Sequence, residues 1–141
     1  MKTSIMIKVS LALAGLVAVG VGFGVLFMPH VFHASAGLHL GSDVNLLNEM
    51  RSPGGMVLLS GLIILTGAFR SNMAVIALAL SATLYLSFGL SRIVSVVADG
   101  LPNAAMLQIL GLELFIGGLS AILLYVAKGA LQADGRAVHL V

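Results

Sequence analysis

This sequence predicts an all-α integral membrane four-helix bundle, and three observations carry that expectation. Of 141 residues, 60% are hydrophobic and 9% charged, whereas roughly a quarter of a soluble domain is charged. Four apolar stretches each approach or exceed the roughly 20 residues that a helix needs to cross a bilayer core. The three prolines, Pro29, Pro53 and Pro102, stand beside the clearly apolar runs and not inside them.

The first span runs from Val9 to Met28 without a charge, follows Lys2 and Lys8, and is stopped by Pro29. Its basic start and the Ala34-Ser35-Ala36 triplet imitate a secretory signal. The run is longer than the about 7–15 apolar residues of such a signal, so a retained anchor is expected. The second span covers residues 46–69. Pro53 after Ser52 reads as proline in a first helical turn, while Ser42-Asp43 reads as a cap for an earlier start. One helix through Pro53, or a short interfacial helix followed by a span, both fit. The third span is Met73 to Val97 and the fourth Ala104 to Ala127, joined by the turn formers Asp99-Gly100-Leu101-Pro102-Asn103. Residues 1–128 thus form the transmembrane domain and residues 129–141 a short cytoplasmic tail, loosely ordered or lying at the interface.

Charge sets the expected orientation. Lys2, Lys8, Arg70, Lys128 and Arg136 fall at one side, Arg51 and Arg92 towards the other. The positive-inside rule places both termini in the cytoplasm of a bacterial inner membrane. Seven Lys/Arg against five Asp/Glu, with no basic block, gives no nucleic-acid surface, and the absence of cysteine excludes disulfide and thiolate chemistry. The residues point to no cofactor.

Arg51, Arg92 and Glu113 lie within the spans, away from the cytoplasmic ends. A charge at bilayer depth costs roughly 2.5–3.5 kcal/mol on insertion scales, so such residues face a partner or water. At 1.5 Å per residue, Glu113 lies roughly 14 Å and Arg92 roughly 8 Å inside the outer ends of their helices. Ser81, Tyr85, Phe88, Arg92, Ser95 and Asp99 recur at three- and four-residue spacing. Glu113, Gly117 and Ser120 share a face of the fourth span, and these two faces are expected to meet. The expectation is a polar cluster of Arg51, Arg92 and Glu113, with Glu49 and Asp99 above them, serving either packing specificity or ligand and proton handling.

Other signals are slighter. His30, His33 and His39 beside Asp43 are competent metal-ligand types in no standard spacing, so they read as the polar side of a half-buried segment. Gly20-Val21-Gly22-Phe23-Gly24 contains a G-x-x-x-G spacing that reads as close helix packing, either within the chain or in oligomerisation. No serine lies in a nucleophile elbow.

Asn48-Glu49-Met50-Arg51-Ser52-Pro53-Gly54-Gly55, Gly89-Leu90-Ser91-Arg92-Ile93-Val94-Ser95 and Asp99-Gly100-Leu101-Pro102 carry a resemblance. Over residues 10 to 127 the chain resembles the small bacterial four-helix membrane proteins of domain of unknown function 4345, broadly similar to DoxX-like proteins. The family pattern falls here on Asn48, Arg51, Gly54, Gly55, Arg92, Ser95, Asp99, Gly100, Pro102 and Glu113, with Pro53 as a departure. The resemblance implies the four-helix fold and supports the polar cluster; it implies no activity.

Three functions compete. The first is a non-enzymatic accessory subunit of a membrane complex, or a self-associating bundle, motivated by short loops and glycine-rich faces. The second is an outer-leaflet site for a lipid- or quinone-type amphiphile, with Arg51 or Arg92 at the head group. The third is a small proton-coupled transporter or membrane isomerase using Glu113 and Asp99.

Overall fold

The structure is a computed structural model that describes residues 4–138, and the side chains of residues 4–130. It contains α1 (Ile5–Phe27), α2 (Pro29–Ser35), α3 (Val44–Phe69), α4 (Ala74–Asp99) and α5 (Ala104–Val138), with a 3-10 turn at Ser71–Met73 and no strand among the described residues. Four helices are long and apolar enough to cross a membrane. The additional short helix, α2, falls in the histidine-bearing segment.

Local chemistry explains the ends. Ser4 caps α1 by accepting from the Ile7 amide, and Asp43 caps α3 by accepting from the Leu46 amide at 2.9 Å. Both satisfy amides that the first turn leaves without partners. The second span is one helix: α3 runs through Pro53, although proline cannot donate to the Glu49 carbonyl one turn back. Gly100, at φ +97, ends α4 in a conformation that favours glycine. Asn103 accepts from the Met106 amide at 3.0 Å and so starts α5. That helix continues to Val138, beyond the candidate span, which ends at Ala130.

The spans form a ring in the order α1, α3, α4, α5, with α1 and α5 meeting only lightly to close it. Lipid tails are as apolar as leucine, so helices associate here through close approach and polar contacts. Gly15 and Gly22 of α1, and Gly54 and Gly61 of α3, are each seven residues apart and line one antiparallel seam. A Cβ added at Gly22 would sit 2.3 Å from the Leu58 amide nitrogen, and one at Gly61 2.7 Å from that of Val19. Of the stretch Gly20 to Gly24, Gly22 lies in this seam, Gly24 meets Phe32 of α2, and Gly20 has open space around it. The close approach follows a seven-residue repeat, which keeps one face towards an antiparallel neighbour.

On the other side, Ser81 with Ser120, Leu86 with Gly117, Gly89 with Leu114 and Arg92 with Glu113 are successive rungs of one antiparallel α4–α5 register. The helix faces expected to meet do meet. Outward, Leu13, Leu59, Ile76, Phe115 and Tyr125 are exposed, as befits a surface whose solvent is lipid.

Substituting Gly22→Ala or Gly61→Ala is expected to lower stability by about 1–3 kcal/mol through overpacking, read as a lower midpoint of thermal unfolding in mild detergent. Gly20→Ala, facing open space, is the control and is expected to change stability by less than about 0.5 kcal/mol.

Candidate functional site

The chemistry-bearing residues gather at the α2 end of the bundle, where α1 and α4 end and α3 and α5 begin. On α4 three inward side chains reach other helices. Ser81 shares a 2.8 Å hydrogen bond with Ser120, and both are fully buried. Tyr85 donates its hydroxyl proton to the Ala14 carbonyl of α1. Arg92 Nε donates to Glu113 Oε2 at 2.8 Å in an ion pair whose side chains are 33% and 12% exposed. Charge assistance strengthens such a bond, and the scarcity of water at this depth strengthens it further.

The guanidinium has capacity to spare. Arg92 Nη1 donates to Met106 Sδ at 3.5 Å, a weak acceptor. Among the described residues no protein atom accepts from Nη2, and none donates to Glu113 Oε1.

The pair forms part of the wall of a cavity of about 460 Å³ enclosed by α1, α3, α4 and α5 and covered by α2. Most of the lining is apolar, with Val57, Leu84, Phe88 and Ile109 on three of the helices. His33, Tyr85, Arg92 and Glu113 are its ionisable residues. Val21, Ser35, Leu38, Pro53 and Leu112 combine a place in the lining with surface exposure, so the cavity is open to its surroundings and not sealed. A smaller cavity of about 180 Å³ also has Arg92 in its wall, together with Ser95, Pro102 and Met106.

The cover over the large cavity is tied down. Asn103 Nδ2 donates to the Ala36 carbonyl at 2.9 Å, which fastens the end of α2 to the start of α5. Phe32 seats against Gly24 of α1. His33 is half-buried, with Nδ1 2.9 Å from the Pro29 carbonyl.

The structure brings together two of the five residues expected to cluster. Glu49 and Arg51 are exposed on α3, and Arg92–Glu113 is the one ion pair among the described residues. Arg51 follows the half-buried Met50 by one residue, about 100° round the helix, and so leaves the inward face that carries Met50, Gly54 and Val57. Asp99 is exposed and accepts from Ser95 Oγ at 3.1 Å. No hydrogen-bond chain among the described residues links it to Glu113. His30 and His39 are exposed, and no group of three His, Cys, Asp or Glu able to hold a metal occurs among the described residues. Sequence reasoning did not single out Asn103 as the tie to α2, nor Phe32, Val57 and Leu84 as cavity wall; their apolar character matches that of every other span residue.

The family model described as domain of unknown function (DUF4345) matches residues 6–124. No curated protein and no solved structure matches the chain.

Replacing Arg92→Ala leaves Glu113 buried without its donor, a loss of about 1–3 kcal/mol, and is expected to lower folded yield and thermal midpoint in detergent. Arg92→Ala with Glu113→Gln is expected to recover part of that loss. A double-mutant cycle without coupling beyond about 0.5 kcal/mol would contradict a direct pair.

Proposed function

The chain belongs to the family of domain of unknown function 4345, and we propose that it holds one amphiphile at the Arg92–Glu113 pair, with the apolar part inside the bundle. The observation that carries this reading is the cavity of about 460 Å³ with Arg92 and Glu113 in an otherwise mostly apolar wall. Ligand sites typically enclose about 300–1,000 Å³, mostly apolar, with a few convergent polar groups that fix orientation.

Burying an ion pair and keeping a cavity beside it both work against stability. Well-packed apolar side chains of similar volume often match or exceed a buried pair in stability, and side chains filling the cavity would regain the contacts that its lining lacks. A lipid- or quinone-type ligand gives both features a use: a polar end accepts from the guanidinium, and a chain or ring lies among Val57, Leu84 and Phe88. Access from the bilayer runs between α1 and α5, past Val21 and Leu112. In the orientation favoured by the basic residues, the termini are cytoplasmic and the site faces the outer leaflet of a bacterial inner membrane. The reading is of a binding protein and assigns no reaction.

A second reading, an accessory subunit or self-associating bundle, is favoured by a different face. Gly111, Phe115, Gly118 and Ile122 recur at helical spacing along α5, and both glycines have open space before them. Such a face admits a neighbouring helix closely. The two readings are compatible, since this face lies outside the cavity lining.

Native mass spectrometry of the protein extracted in mild detergent from its own membrane separates them. The amphiphile reading predicts about one retained small molecule per chain, lost in Arg92→Ala and in Val21→Trp, which narrows the mouth. A defined complex with other proteins and no retained amphiphile would overturn it in favour of the accessory subunit.

A further inference from the structure

The cavity's electrostatics restrict what its polar end can hold. The ion pair lining it, Arg92 and Glu113, is 2.8 Å apart, and its two charges cancel. Tyr85 spends its proton on the Ala14 carbonyl, and His33 Nδ1 lies against the Pro29 carbonyl. An anionic head group on Arg92 Nη2 would gain attraction from the guanidinium and meet repulsion from the Glu113 carboxylate at similar range. In a surrounding of low dielectric neither term is screened away. A cationic head group meets the same cancellation with the signs reversed.

What the pair offers instead is a donor and an acceptor side by side. Among the described residues Arg92 Nη2 has no protein acceptor and Glu113 Oε1 no protein donor, and both residues line the chamber. A hydroxyl or a primary amide supplies both partners at once, because each can accept and donate. A carboxylate or phosphate diester only accepts, and so leaves Oε1 unmatched beside a like charge. The chamber size, near the lower end of the range for small-molecule sites, suits one chain better than the two of a membrane phospholipid.

Resting on the amphiphile reading above, we infer that the ligand is an uncharged single-chain amphiphile with a hydroxyl or amide at its polar end, and that Glu113 is the residue that rejects anionic ones. Arg92 anchors the ligand, and the carboxylate beside it decides which polar ends are accepted. Specificity of this kind comes from a group placed against the wrong ligand as much as from contacts to the right one.

The test compares a monoacylglycerol with the fatty acid of the same chain length, titrated at a pH where the acid is ionised, against purified full-length protein. Wild type is expected to bind the monoacylglycerol at least about tenfold more tightly. Glu113→Gln removes the negative charge and keeps a hydrogen-bond acceptor for Arg92, so it is expected to reverse the order. Equal or tighter binding of the fatty acid by wild type would overturn the inference while leaving the cavity as an amphiphile site; that comparison stands even where Glu113→Gln does not accumulate. Binding of neither probe, or binding of both undiminished by Val21→Trp, would overturn the inference and the amphiphile reading together.

Discussion

Between helices in a bilayer there is no hydrophobic pressure to exploit, so this bundle depends on close backbone approach and on three polar contacts made by α4. The glycine seam joins α1 to α3. Ser81, Tyr85 and Arg92 then tie α4 to α5 and to α1 through side chains at four- and seven-residue spacing. Because interhelical hydrogen bonds in membranes contribute about 0.6 kcal/mol on average in double-mutant cycles, their value here lies as much in register as in strength. The Ser81–Ser120 and Arg92–Glu113 rungs hold α4 and α5 in one alignment, and Gly89 and Gly117 let the backbones come close enough for the rungs to form.

That alignment also builds the chamber. At the α3–α4 turn end the helices converge on a core of Leu11, Ile64, Ala77 and Leu78, all tightly buried. Towards α2 they part enough to leave the cavity, and Arg92 and Glu113 sit in its wall. The short α2, tied to the start of α5 by Asn103, covers the wider end. A fold whose four long helices are apolar enough to span a membrane, and whose one ion pair among the described residues stands beside an apolar chamber, is organised more like a container than like a packed post.

Much of this was legible in the sequence because membrane solvent writes a coarse signal. The four spans followed from apolar length, and the Arg92–Glu113 pairing followed from depth along antiparallel helices. The rest depended on angle round a helix, which length and depth do not report. Arg51 has a depth similar to that of Arg92 yet turns off the inward face. Gly20 and Gly24 match a familiar spacing, whereas the working glycines are Gly15, Gly22, Gly54 and Gly61, spread over two helices. α2 escaped notice because seven residues with a proline, two histidines and a phenylalanine carry too little periodicity to signal a helix. The cavity was invisible for a general reason: a wall of Val57, Leu84 and Ile109 uses the same residues as a filled core.

The measurement that most directly tests whether the chamber holds an amphiphile, as proposed, is photolabelling in membranes with an uncharged single-chain amphiphile carrying a diazirine midway along the chain. Mapping the modified residues distinguishes the inner wall from the lipid face of the same helices. The account predicts labels on Val57, Leu84, Phe88 and Ile109, competed by unlabelled amphiphile. Labels confined to outward residues such as Leu59, Phe115 and Tyr125, unaffected by competitor, would contradict it.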